Sequence, residues 1–100
     1  MVGHHTIPRQ ILKSLPSDVA AHPLVRGIRG HPNIWDIPES LHIAIHKGPG
    51  GGLYNARWFE ELDAIGTTGR GITVGDVLRI RFDLAQEFGL MRYAPSGYLR

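Results

Sequence analysis

The segment LHIAIHKGPGGG, Leu41–Gly52, imposes a structural break: an apolar run carrying two histidines ends in five residues of which four are glycine. No regular helix or strand continues through such a stretch, because glycine costs backbone entropy and proline removes a donor. Whatever precedes it must stop near Lys47, and whatever follows must start afresh. Upstream, Asn33-Ile34-Trp35-Asp36-Ile37 alternates apolar and polar side chains among β-favouring residues and reads as a short strand. Pro38 suits a first helical turn, Glu39 suits the positive helix N-terminus and Gly48 suits the position just past the end, so a helix is expected from Pro38 to Lys47. The glycines then make a tight reversal that seats the next element against this helix.

That next element is a helix expected from Tyr54 to Ile65, with Tyr54, Trp58, Leu62 and Ile65 on one face. A further helix is expected to begin after Thr73, whose hydroxyl can cap it while Asp76 stands three residues on, and to run to about Phe88 before Gly89. Arg79 and Arg81 with Asp83 and Glu87 read as exposed charge partners on it. Nearer the start, His4 to Pro8 reads as the end of an extended segment and Arg9 to Leu15 as a short helical piece closed by Pro16. Pro23, Gly27, Gly30 and Pro32 make Ser17 to Pro32 an irregular connection with one helical turn at Ser17 to Ala21. Trp35 and Trp58 sit at apolar positions of their elements and are expected in the core.

Composition limits the chemistry. One hundred residues suffice for one small domain. No apolar run approaches the roughly 18 residues of a membrane span, so no membrane partner is expected. The absence of cysteine excludes a disulfide and a thiolate metal site, leaving nitrogen and oxygen ligands for any metal. The pI of 9.4 rests mostly on arginine, and a formal charge of +2 permits a nucleic-acid partner without arguing for one. The opening Met1-Val2-Gly3-His4-His5 has neither the basic nor the apolar region of a signal peptide, and a domain belonging to a larger protein is expected.

On a helix, His42 and His46 stack on one face, within reach of a single ion. Ile43 follows His42, so the glutamate base of a metalloprotease is missing and peptidase chemistry is disfavoured. An isolated pair at this spacing is more often a polar stripe beside buried Leu41, Ile43 and Ile45 than a metal site. The wider order weighs against the stripe: His4-His5 ends one extended segment, Asn33 opens a strand, and His42 and His46 ride the helix after it.

This order resembles the HNH, or ββα-metal, nucleases of the endonuclease VII superfamily. Asn33-Ile34, Pro38, His42-Ile43, Ile45-His46 and Gly48 match the N-I-x-x-x-P-x-x-x-H-I-x-I-H-x-G pattern of the DNase colicins, and Gly3-His4-His5 is similar to the GHH signature of bacterial polymorphic toxins. Gly51 to Trp58 looks like the continuation after the metal helix in such toxins. The likeness runs from His4 to Gly48, nearly half the chain. It implies an α+β fold, a ββα-metal core with additional C-terminal helices.

The same resemblance implies roles. His4, His42 and His46 would bind one divalent cation, His5 would be the general base, and Asn33 would orient the His5 ring through its carbonyl or side chain. Histidine suits the base role because its ordinary pKa of about 6.5 lies near neutrality. Imidazole ligands suit nickel and zinc, and phosphate chemistry tolerates magnesium and manganese, so the metal is open among the four. Arg9, Lys13, Lys47 and Arg57 lie near the proposed centre in sequence and are candidates to hold phosphates, while His22 and His31 fall outside the pattern. The implied function is a DNA endonuclease acting as an antibacterial toxin. It would be secreted or delivered by contact into a target-cell cytoplasm, and restrained by an acidic cognate immunity protein. The alternatives are a catalytically silent, metal-stabilised module that binds nucleic acid or protein, and an RNase with the same centre.

Overall fold

The alternation in Ile34-Trp35-Asp36-Ile37 does what period two requires: Trp35 and Ile37 are buried and Ile34 and Asp36 face solvent. The structure, a computed structural model, describes residues 1–95. Strand β1 (Val2–His5) pairs antiparallel with β2 (Ile34–Ile37), Val2 opposite Ile37, His4 opposite Trp35 and His5 opposite Ile34. Directly opposed residues share a face, so His4 points inward with Trp35, whereas His5 lies on the outer face with exposed Ile34. Two consecutive histidines are thereby sent to different environments.

The segment between the strands is more ordered than expected. It carries α1 (Arg9–Ser14), α2 (Ser17–Ala21) and a third helix, α3 (Pro23–Arg26). The His22 ring accepts the Leu24 N–H at 3.2 Å, a capping role that histidine seldom takes, and Pro23 occupies the first helical position. A bridge between Ile28 and His31 closes the remaining turn.

After β2 the chain enters α4 (Glu39–His46), a 3-10 turn (Pro49–Gly51), α5 (Gly52–Gly66) and α6 (Val74–Glu87). Gly52 explains why α5 starts two residues earlier than its apolar periodicity suggests. Its φ is +80°, and an added Cβ would lie 2.4 Å from the His46 carbonyl carbon, so only glycine lets α5 begin directly against the end of α4. At α6 the expected capping box is present: Asp76 N–H donates to the Thr73 hydroxyl and Thr73 N–H donates to the Asp76 carboxylate. Arg79 pairs with Asp83 at 3.2 Å as expected, but Arg81 is not an exposed charge partner. It is 5% exposed and donates to the Leu24 carbonyl, tying α6 to α3. Glu87 pairs instead with Arg57 of α5.

The chain is therefore α+β, with six α-helices and one two-stranded antiparallel sheet among the described residues. Its buried apolar side chains form one cluster drawn from α1 to α3, the inner face of the sheet, and the facing sides of α4, α5 and α6. Trp35 and Trp58 are both in it. Among the described residues no helix is long and apolar enough to cross a membrane.

Where β1 ends, a buried polar node joins three elements. The Thr6 N–H donates to the Asn33 carbonyl, and the Thr6 hydroxyl lies 2.9 Å from that carbonyl and 2.8 Å from Asn33 Oδ1. Asn33 Oδ1 also accepts the Ile7 N–H, and its Nδ2 donates to the Ile7 carbonyl. The Thr6 carbonyl in turn accepts from Tyr54 OH at 2.5 Å and Trp58 Nε1 at 3.1 Å, which fastens the strand end to α5. Each orphaned buried group costs about 1–3 kcal/mol. Asn33→Ala, which orphans several, is expected to destabilise by about 3 kcal/mol or more in urea unfolding. Trp58→Phe leaves the Thr6 carbonyl its bond from Tyr54 but opens a void at a fully buried site, and should cost about 2 kcal/mol.

Candidate metal centre

The inward turn of His4 on β1 and the helical spacing of His42 and His46 on α4 bring three imidazoles to one point. Each offers a nitrogen, all within 4.8 Å of one another, close enough to bind one metal ion. The His4 ring centroid lies 5.1 Å from that of His46 and 5.6 Å from that of His42, and the two α4 rings are 4.8 Å apart. His46 Nε2 and His4 Nδ1 are separated by 3.2 Å. Two nitrogens held about 2.0–2.1 Å from one tetrahedral ion stand about 3.3 Å apart, so this pair already has the spacing of shared ligands.

The surroundings prepare the rings. His46 Nδ1 lies 2.7 Å from the Gly51 carbonyl, which can only accept, so Nδ1 carries the proton and Nε2 of the neutral ring turns its lone pair toward His4. Fixing the distal nitrogen of a histidine in this way sets both tautomer and orientation for coordination. The glycine run therefore has a function at the site: it carries the carbonyl that aims His46. His4 is fully buried, packs edge-on against Tyr54, and its Nε2 has no hydrogen-bond partner. Burial first, then the neighbouring His46, His42 and His5, push the His4 pKa down to about 3. His42 is lowered by burial and then by His46. Near neutral pH these groups keep the lone pairs that a cation needs.

His5 stands apart from the three. It is half-buried and lines a cavity of about 320 Å³ together with Arg9, Gln10, His42, His46 and Asn55. It also lines a second cavity, of about 580 Å³, on its other side. Burial, then the charge of Arg9, lower its pKa.

Asn33 is found beside this residue but not bonded to its ring. Its carbonyl and both side-chain atoms are taken by Thr6 and Ile7, so it acts on His5 by clamping the backbone that follows it. Of the four expected phosphate holders, only Arg9 reaches either cavity. Lys13 and Lys47 are exposed and line neither. Arg57 is held by carboxylates, Glu87 at 2.9 Å, Glu60 at 3.0 Å and Glu61 at 3.4 Å, with the Glu87 hydrogen bond as the main cause of its raised pKa. Sequence reasoning missed Gly51, Tyr54, Gln10 and Asn55. The signal available was helical phase: Tyr54 lies on the inner face of α5, one turn before Trp58, and so next to whatever the glycine reversal brings back. No family profile matches the chain, and no curated protein or solved structure is significantly similar to it.

Two expectations follow. Gly52→Ala should displace the Gly51 carbonyl from His46 and lower metal affinity by about 10-fold or more, as loss of such supporting bonds does; titration calorimetry with zinc reads this directly. The second concerns the metal-free protein. Unfolded histidine titrates near 6.5 and native His4 near 3, so as pH falls through that interval the unfolded chain takes up a proton that the native state does not. Stability should fall continuously from pH 6.5 downward, well above the range where Asp76 and Glu87 begin to protonate. A thermal melting temperature flat from pH 7 to pH 5 would contradict it.

Proposed function

We infer that the chain is a divalent-metal-dependent endonuclease organised as a ββα-metal core with added helices, and that its substrate is DNA. The observation that carries this reading is the position of His5: it is excluded from the cluster of three, yet lines the same cavity as two of them. A metal site with only a structural role has no use for a fourth, half-exposed imidazole with lowered basicity at its edge.

Phosphodiester hydrolysis needs a water deprotonated near neutral pH and a phosphate held in line with it. His5, kept neutral by burial and by Arg9, accepts the proton of that water, and the 3′ oxygen departs on the opposite side of the phosphorus. Arg9, at the rim of the same cavity and without an acidic partner among the described residues, is suited to hold a non-bridging oxygen. A divalent cation on the three histidines, when bound, supplies Lewis-acid stabilisation of the charge on the phosphate and the departing oxygen. Asn33, through Thr6 and Ile7, fixes where His5 sits. Magnesium, manganese, nickel and zinc all remain compatible with that role.

The preference for DNA rests on the likeness of Asn33 to Gly48 to the DNase colicins. The likeness of Gly3-His4-His5 to polymorphic toxins extends the proposal to a delivered antibacterial toxin, with an acidic immunity protein as its partner in the producing cell.

Supercoiled plasmid and total RNA, each incubated with the protein with and without chelator, test the reading. Plasmid should be nicked and linearised only when divalent metal is present. His5→Ala should lose about 100-fold or more of that activity while still binding metal, as expected when a general base is removed. Since His5, His42 and His4 all have lowered pKa values, the acid limb of the rate should lie below pH 6.5. Metal binding with no cleavage of either nucleic acid would leave a non-catalytic module.

A further inference from the structure

The larger cavity beside His5 is lined by Arg9, Arg26 and Arg29, with Leu12, Ile28 and Ile34 as its apolar members. Its volume of about 580 Å³ lies within the range of roughly 300–1,000 Å³ typical of sites that enclose a small molecule or one unit of a larger one. Ile28 and Ile34 are among the large apolar residues left open to solvent, 39% and 50% exposed. Three cations beside exposed aliphatic surface is a combination that neither water nor a simple salt-bridged surface explains.

The described arginines differ in what holds them. Arg57, Arg70 and Arg79 are each engaged with carboxylates, Arg81 is buried against α3, and Arg92 lies over the Tyr93 ring. Arg9, Arg26 and Arg29 are exposed, and none of them has an acidic partner or a side-chain hydrogen bond among the described residues. Three arginines without a carboxylate partner are thus collected on one side of His5, while those paired with carboxylates line neither cavity. Spreading charge for solubility alone would not require that division.

The wall that carries Arg26 and Arg29 is also built in. Gly27 has a φ of +100°, and a Cβ there would come within 2.8 Å of the Asn33 nitrogen, so the end of α3 lies directly on the residue that opens β2. Val25 is fully buried and Arg81 holds the Leu24 carbonyl, which anchors α3 to the core and to α6. Two exposed arginines are thereby presented from a fixed support, on either side of a glycine that touches the buried node behind His5. His5 and Arg9 line both cavities, so the two spaces meet at the proposed reaction centre.

We propose that the Arg9–Arg26–Arg29 cavity is a subsite for the nucleotide next to the scissile phosphate. Arg26 and Arg29 would bind its backbone phosphate, and Leu12, Ile28 and Ile34 would contact its sugar and base edge. This deepens the nuclease reading and rests on it for the direction in which the strand runs from His5. Contacts of this kind fix register without reading sequence, because guanidinium to phosphate is blind to the base. Cleavage would accordingly be nearly sequence-independent, yet would require a nucleotide on that side of the cut.

The test is fluorescence anisotropy with a short mixed-sequence DNA duplex in the presence of chelator, so that it reads binding alone. Arg26→Gln/Arg29→Gln is compared with Arg70→Gln/Arg79→Gln, which removes the same charge from arginines paired with carboxylates. The first pair should weaken binding at least 10-fold and lower the slope of log affinity against log salt by about 0.9, the value for one lost phosphate. The second pair should do neither. Equal losses in both would assign the effect to net charge and overturn the subsite. Unchanged binding in the first pair, with a far-ultraviolet spectrum and melting temperature like the parent's, would overturn it too. Polyglutamate bound as tightly as the duplex, with the same dependence on Arg26 and Arg29, would make the cavity a carboxylate site and sink the nucleotide assignment. A domain that fails to cut plasmid but shows the expected duplex losses would refute the nuclease and leave the nucleotide-binding cavity standing.

Discussion

The hydrogen bonds between Asn33 and the Thr6–Ile7 segment hold the rest together. Asn33 uses its carbonyl and both side-chain atoms on that one short stretch, and Thr6 passes the connection on to Tyr54 and Trp58 of α5. A four-residue strand near the start of a chain has little surface of its own to bury, and a two-stranded sheet is marginal alone. Buried bonds in a low-dielectric setting supply what area cannot, and leaving any of them unmade is expensive. Because His4 and His5 immediately precede Thr6, the node also determines where two of the four central histidines stand.

From that position follows a division of labour between neighbours. Strand geometry sends His4 inward, to Tyr54, His42 and His46, and His5 outward, to the junction of two cavities. Burial and the neighbouring imidazoles hold His4 and His42 below the ordinary histidine pKa, which opposes folding in acid but leaves lone pairs converging where a cation would offset the cost of desolvation. The metal-free centre is therefore a stability cost that a bound ion would offset, since an ion that binds only the native state adds to its stability. His5 escapes most of that burial and keeps access to solvent, as the proposed proton-acceptor role requires.

Much of this was legible in the sequence where the signals are local. The period-two alternation after Asn33, the spacing of His42 and His46, the stop at Gly48 and the Thr73–Asp76 cap all act within one turn or one strand, and the structure has each of them. Less legible was whatever depends on contacts distant in the chain. Helix α3 needs a histidine cap, and Arg81 reads as a surface residue until α3 is packed on α6. Arg57 looks close to the centre in sequence but turns toward Glu87, thirty residues on, because α5 and α6 lie together. Arg26 and Arg29 lie in what reads as a loose connection; only Gly27 against Asn33 brings them to His5. Asn33 is similar: its importance is visible from its place before β2, its partners, Thr6 and Ile7, are not.

The claim on which the function turns is that His4, His42 and His46 share one cation and leave His5 free. Nitrogen-15 spectra of the histidine rings during a zinc titration measure this most directly, since coordinated, protonated and lone-pair nitrogens resonate apart. Three rings should move to metal-bound positions together and saturate at one equivalent, with His46 coordinating through Nε2 and keeping its Nδ1 proton. His5 should stay unbound and go on titrating with pH. Coordination by His5 in place of His4, or a response that never saturates at one equivalent, would contradict the proposed centre.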